Sequence, residues 1–264
     1  MSKLTGLCDA IQAIPDRASL GLGGNTLNRA PMAAVMELAR QKKQGLRLIK
    51  TAGGMDVDLL CLAGCVATVD AGFVSCETRY GLCRHYRKAV ESGAVMANEH
   101  ACYTVISALR AASYGIPFMP VRGLQITDLV AVNDYFAPVA DPFTGETLYA
   151  VRALRPMVSI LHAHVADEAG NALIEGPLYD DILLSRASET VIVTAERIVG
   201  PDYFTNREIK ANIPHFLVSA VVHAPRGAWP NACYQAYGVG DEAVRSFLAL
   251  TTADQLPQWL ERRL

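Results

Sequence analysis

Four groups of residues in this chain have the types and spacing to do chemistry. The first lies in Ile14 to Pro31, IPDRASLGLGGNTLNRAP, where an apolar run meets Gly21, Gly23 and Gly24 and a helix opens at Ala30-Pro31. Glycines at a strand-to-helix turn let a ligand approach backbone N–H groups, and they equally make a tight turn; residue types leave both readings open. Thr26 stands where a dinucleotide fingerprint needs its third glycine, and no Gly-Lys-Ser/Thr follows for a phosphate loop. Asn25 and Arg29 belong to the same loop. The second group, Thr51-Ala52-Gly53-Gly54-Met55-Asp56, is again a glycine pair after a strand. Two such loops at neighbouring strand ends would line one crevice of a doubly wound sheet, and Asp56 is read as an N-cap.

The third group is Glu77, Arg79 and Tyr80. Glu77 follows an apolar strand end, where functional carboxylates often sit; its plainer role is capping the next helix or pairing with Arg84 or Arg87. The fourth is Asn98-Glu99-His100, before a helix whose N-terminus favours the charged form of Glu99. Glu99 beside His100 is a candidate acid/base pair. His162 and His164 alternate on a strand and share a face, but no third ligand stands at metal-site spacing, so they are read as core histidines. Cys61 and Cys65 are four apart with no second pair, and free buried thiols are the expectation.

These groups need a scaffold, and the pattern supplies one. Strands are expected at Ala18–Gly23, Leu46–Lys50, Thr68–Val74, Phe118–Arg122, Leu148–Ala153, 157–165, Thr190–Ala195 and Phe216–His223. Helices are expected at Pro31–Lys43, Val57–Ala63, Tyr80–Glu91, Ala101–Tyr114, Tyr179–Arg186 and 241–262. Residues 123–147, with Pro138, Pro142 and Gly145, have no clear period and read as a long irregular connection. Within 153–172, Arg155-Pro156 opens an apolar run from Met157 to Val165, and Asp167-Glu168-Ala169-Gly170-Asn171 ends it in a turn needing positive φ. Alternating strands and helices imply an α/β fold, a mostly parallel central sheet flanked by helices, in one domain over residues 1–264.

Composition excludes several classes. The 264 residues are 51% hydrophobic and 19% charged with a formal net charge of −2, which suits a packed core and offers no basic stripe for nucleic acid. The basic pairs Lys42-Lys43 and Arg262-Arg263 are read as solvated helix ends. Met1 to Ala10 contains Lys3 and Asp9 and lacks a long apolar run, so no signal peptide is read there. No apolar segment reaches the ~18 residues of a membrane span. Seven cysteines without a Cys-x-x-Cys pair fit a reducing cytoplasm.

The order and spacing of several segments resemble the alpha subunit of family I CoA-transferases of the glutaconate CoA-transferase type. They are the glycine loop, Arg110-Ala111-Ala112 with Gly115-Ile116-Pro117-Phe118 and on through Arg122, Asp141-Pro142-Phe143-Thr144-Gly145, Leu154-Arg155-Pro156, Ala166 to Asn171, and Val191–Val199. Here Asp16 is followed by Arg17, and Asn25 stands where the family usually has phenylalanine. The resemblance implies the NagB/RpiA/CoA-transferase-like fold, a homologous beta subunit in an α2β2 heterotetramer, and a coenzyme A thioester as substrate with no permanently bound cofactor or metal. It implies that a beta-subunit glutamate attacks the thioester and passes through an anhydride to a glutamyl-CoA thioester. The Ser-Glu-Asn-Gly motif that carries that glutamate is missing here, and the chain has no Asn-Gly dipeptide, so no nucleophile is assigned to it. The same resemblance extends to methylglutaconyl-CoA decarboxylases and ring-opening hydrolases; the reading from another class is a non-catalytic binding or assembly subunit. It places Gly23, Gly24, Asn25, Arg29, Gly53, Gly54, Glu77, Tyr80 and Arg122 at the acyl-CoA site, with loop N–H groups on the thioester oxyanion and Arg29 on a dicarboxylic acyl group. Glu99 is the catalytic candidate.

Overall fold

In the computed structural model, which describes residues 2–205 and 209–261, an eight-stranded sheet runs through the molecule. Its strands are β1 (Ser19–Leu22), β2 (Leu46–Gly53), β3 (Val66–Val74), β4 (Met96–Glu99), β8 (Val158–Asp167), β9 (Ala172–Leu173), β10 (Thr190–Val199) and β11 (Ala220–His223). The order is β11-β10-β8-β1-β2-β3-β4, every neighbour in it parallel, with short β9 antiparallel to β8. From β1 the chain winds outward through β2, β3 and β4, then returns to β8 on the other flank. The β1–β8 junction is therefore the switch point of a doubly wound sheet, where a crevice opens outside the carboxyl ends of the strands.

Helices cover both faces. On one lie α1 (Leu7–Gln12), α2 (Met32–Arg40), α3 (Met55–Leu62), α5 (Arg84–Glu91), α9 (Asp241–Leu248) and α10 (Leu256–Glu261). On the other lie α6 (Cys102–Ser113) and α8 (Asp181–Ala187), with an antiparallel sheet of β5 (Phe118–Val121), β7 (Thr147–Arg152) and β6 (Phe136–Ala140). Alternation along β2 sorts the two cores: Leu46 and Leu48 face the first, Ile49 the second. β8 is buried over its whole length, as its unbroken apolar run requires. At its end Gly170 takes φ 104°, and both Gly170 and Asn171 donate N–H groups to Asp167 Oδ1 at 2.8 Å.

Four expectations need correction. The stretch 123–147 is not structureless: it forms α7 (Leu129–Val132) and β6, which pairs with β7 from Phe136↔Val151 to Ala140↔Thr147. Pro138 hid the strand, yet an edge strand tolerates proline, and Pro120 occupies the opposite edge of the same sheet. The helix expected over Tyr80–Glu91 is two pieces, α4 (Glu77–Tyr80) and α5, separated at Gly81 with φ 80°. Phe216 lies in a 3₁₀ turn after Pro214, and the strand starts only at Ala220. The C-terminal helix breaks between α9 and α10, where Thr252 and Gln255 cap each other across a short turn. The pair Arg262-Arg263, and the end of the helix expected to 262, lie outside the described residues.

Asp58 on α3 joins two helices: its Oδ1 accepts the Tyr86 N–H of α5 at 2.7 Å. Its side chain is fully buried and Oδ2 has no hydrogen-bond partner among the described residues. Burial therefore pushes this carboxyl up to about 7, against hydrogen bonds from the Tyr86 and His85 backbone. The native state binds a proton that the unfolded chain releases near pH 4. Asp58 thus stabilises the fold fully below that pH, and the contribution is lost as pH rises to 7. About three pH units at 1.36 kcal/mol each set an upper limit of about 4 kcal/mol. Urea unfolding between pH 4 and 7 should show this decline, and Asp58→Asn should flatten it.

Candidate functional site

The β1 loop begins with glycines that packing demands. A Cβ on Gly23 would lie 2.4 Å from Asp181 Oδ1, and one on Gly24, at φ 72°, 2.4 Å from the Arg29 backbone. The loop closes through Asn25 N–H to Asn28 O and Asn28 N–H to Asn25 O, then reaches β2 through Thr26 N–H to Ala52 O at 3.0 Å. A Cβ on Gly54 would lie 2.9 Å from Thr26 O, so the two glycine loops touch. The Thr26 hydroxyl then donates to Glu77 Oε1, where the chain leaves β3 with Glu77 at φ 61°. Gly23, Gly24, Asn25, Gly53, Gly54 and Glu77 are thereby brought together at neighbouring carboxyl ends of β1, β2 and β3, as the sequence suggested.

Two buried ion pairs hold that meeting point. Lys50 points into the protein from β2; its Nζ donates to Gly23 O at 2.5 Å and pairs with Asp56 Oδ2 at 2.8 Å, while Asp56 Oδ1 accepts Gly54 N–H at 2.8 Å. Asp56 is thus not the expected N-cap: Gly54 takes that position, and Asp56 reaches back from the first turn of α3. Arg29 sits in a two-pronged bond to both Asp181 oxygens at 2.9 Å, and also donates to the carbonyls of His162 and Pro177. Asp181 Oδ2 accepts Gly24 N–H at 3.3 Å.

These bonds revise several of the expected roles. Arg29 is 2% exposed with all four terminal N–H groups engaged inside the protein, so its fork is not offered to a substrate carboxylate. The N–H groups of Gly23, Gly24, Asn25, Thr26 and Gly54 all have acceptors inside the protein, which removes them as oxyanion donors. The exposed side chain at this meeting point is Glu77; Asn25 is half-buried, and Thr26, itself buried, holds Glu77 through its hydroxyl. Tyr80 turns away, its hydroxyl 3.0 Å from Asp241, and Arg122 pairs with Glu146 at 2.8 Å on the small sheet. Glu99 ends β4, paired with Ala71 of β3 three residues before that strand stops. Its side chain is exposed and its carbonyl accepts the Asn133 amide at 2.5 Å. The edge position sets it three strand spacings, roughly 14 Å, from β1.

Sequence reasoning missed Thr26, Lys50 and Asp181. Lys50 had a signal, a cation directly after the apolar pair Leu48-Ile49, whereas Asp181 gains its meaning only from Arg29, 152 positions away. The two histidines are core residues as expected. His162 bonds Thr194 Oγ1 and Glu196 Oε1, both at 2.8 Å; His164 accepts Glu175 N–H and donates to Tyr234 O. Burial pushes His162 down, so its ring is neutral. Burial opposes ionisation of Glu196, yet hydrogen bonds from His162 and Tyr237 outweigh it and hold the carboxyl below its usual value. His162, Glu196 and Cys233 offer ligand atoms within 4.8 Å of one another, and burial raises the Cys233 thiol to about 12.

The profile described as Coenzyme A transferase matches residues 6–224. The chain is 32% identical over 258 residues to a glutaconate CoA-transferase subunit of Acidaminococcus fermentans, covering 90% of this chain and 79% of that one. It is 32% identical over 260 residues to the cholesterol ring-cleaving hydrolase IpdA subunit of Mycobacterium tuberculosis, covering 93% and 87%. An uncharacterized Archaeoglobus fulgidus protein is 34% identical over 92% of this chain, which spans only 54% of that protein. Among solved structures, a variant of the decarboxylase AibA/AibB superposes with a TM-score of 0.90 at 35% identity, covering 99% of this chain and 98% of that one. The A. fermentans glutaconate coenzyme A-transferase superposes with a TM-score of 0.94 at 28% identity, covering 99% and 88%.

Removing either buried cation should strand its carboxylate. Lys50→Met and Arg29→Ala are each expected to cost about 3–5 kcal/mol of unfolding free energy in urea, with the double change Lys50→Met/Asp56→Leu recovering most of the first loss. Arg29→Ala should also leave the KM ratio between a dicarboxylic and a monocarboxylic acyl-CoA unchanged. A KM rise confined to the dicarboxylic thioester would return Arg29 to the substrate.

Proposed function

The chain belongs to the coenzyme A transferase family, and from that premise we propose that it is the alpha subunit of a heteromeric CoA-transferase acting on an acyl-CoA. The observation that carries the reading is the meeting of Asn25, Thr26 and Glu77 at the carboxyl ends of β1 and β3, in a chain without the Ser-Glu-Asn-Gly motif. Such a subunit supplies half a site: a rigid wall of loops for the thioester, with the nucleophile brought by the beta subunit. In that reaction the partner's glutamate attacks the thioester carbonyl and expels the thiolate, leaving an anhydride. The thiolate then attacks the anhydride's glutamyl carbonyl, releases the first carboxylate and leaves a glutamyl-CoA thioester for an acceptor carboxylate. The pair doubles to α2β2, and the acyl group is dicarboxylic or branched.

The decarboxylase AibA/AibB, matching nearly the full length of both chains, favours a second reading: a subunit of an acyl-CoA decarboxylase or hydrolase of the same fold. That chemistry needs an acid or base outside the partner's glutamate, and Glu99 is the candidate in this chain. Its peptide is fixed by Asn133 while its carboxylate is exposed to whatever covers the β4 edge. No helix among the described residues is long and apolar enough to cross a membrane.

Co-expression with the subunit encoded beside it should give a stable hetero-oligomer, and a fully active monomer would remove the proposal. Within that complex, acyl-CoA followed by hydroxylamine or borohydride should trap a glutamyl thioester on the partner if transfer is the reaction. Under the second reading no thioester is trapped, and Glu99→Gln lowers kcat by about 100- to 10,000-fold with assembly intact. An unchanged kcat in Glu99→Gln assigns all the chemistry to the partner.

A further inference from the structure

The short helix α4 ends in an arginine-lined cleft that the glycine loops do not account for. Arg79, Tyr80, Arg84, Arg245, Leu248 and Ala249 enclose about 290 Å³. Two guanidinium groups, those of Arg79 and Arg245, lie over the Tyr80 ring, each 5.4 Å from its centroid. Asp241 fixes the arrangement: it bonds Arg79 and Arg245 at 2.9 Å and the Tyr80 hydroxyl at 3.0 Å. One carboxylate thus serves two arginines. The Arg245 bond uses Nε, so both of its terminal nitrogens stay available, and the Arg84 side chain makes no hydrogen bond or ion pair among the described residues. Against one carboxylate the cleft carries three arginines, an excess of two positive charges. Guanidinium forks converging on a concave site recognise phosphoryl oxygens, and Leu248 and Ala249 give an apolar wall for a sugar or base.

Position relates this cleft to the crevice. Glu77, at the first residue of α4, accepts the Thr26 hydroxyl; Tyr80, at the last, lines the cleft. The two are three positions apart in the chain, so crevice and cleft adjoin. We propose that the Arg79–Arg84–Arg245 cleft holds phosphates at the nucleotide end of the coenzyme A substrate while the thioester lies at the Glu77 crevice, joined by the pantetheine arm. This rests on the acyl-CoA reading above.

The test titrates the full chain with adenosine 3′,5′-bisphosphate, which carries the nucleotide end without the thiol. Arg84→Ala and Arg245→Ala should each weaken binding about tenfold or more, the loss typical of a charge-assisted bond, and Arg84→Lys should lose less. Lys88→Ala, the same change of charge on the exposed side of α5, should bind as the parent does. Equal binding by all variants overturns the assignment, as does no binding by the parent chain. Inorganic phosphate competing as tightly as the bisphosphate also overturns it, because the cleft is then a site for free phosphate. In the complex with its partner, Arg84→Ala should raise KM for an acyl-CoA and leave KM for the matching acyl-pantetheine unchanged. Turnover with an unaltered acyl-CoA KM defeats the cleft and spares the function; bisphosphate binding at the cleft without acyl-CoA turnover defeats the function and spares the cleft.

Discussion

A single ammonium group, Lys50 Nζ, sets the geometry on which the crevice depends. Its bonds to Gly23 O and Asp56 Oδ2 place one charge between the β1 loop and the start of α3. Because the lysine is 1% exposed, no water can take over either bond. Burying such a pair costs several kcal/mol of desolvation per ion, regained only when the remaining hydrogen bonds are met. Here Gly23 O and Gly54 N–H meet them, so the charges are satisfied only when both glycine loops are in place. Arg29 and Asp181 repeat the arrangement across the other flank of β1, tying its loop to α8. The loops are therefore held in place by electrostatics as much as by packing.

Rigidity also decides which atoms are left for a ligand. A loop whose amides are consumed internally cannot act as an anion cradle, whatever its glycine content. Gly23 and Gly24 are glycines because Asp181 and the Arg29 backbone occupy the space a side chain would take. What the loops leave exposed is side-chain chemistry, above all the Glu77 carboxylate held by the Thr26 hydroxyl.

Periodicity made most of the scaffold legible. The apolar run at 157–165 and the Asp167–Asn171 turn each carried their structure in the local residues. Prolines concealed the small sheet, since a strand read by its neighbours alone looks broken at Pro138. The candidate site was half legible. Glycine pairs after strands marked where the loops meet, but the partners of Lys50, Arg29 and Tyr80 lie up to 161 positions away, and no local pattern encodes such a contact. Arg29 illustrates the loss: in sequence it is a free cation in a binding loop, and in the fold it is a structural one.

Pro120 and Pro138 sit on the two outer strands of the three-stranded sheet. An edge proline has no N–H to offer outward and sets a ring where an incoming backbone would lie. The sheet thus resists growth at both borders, although among the described residues neither border is covered by another strand. A second chain cannot join this lobe by extending its ladder, so misassembly through edge pairing is suppressed there. Recognition at the lobe must be made through side-chain surfaces, a mode that depends on sequence identity and so can discriminate one subunit from another.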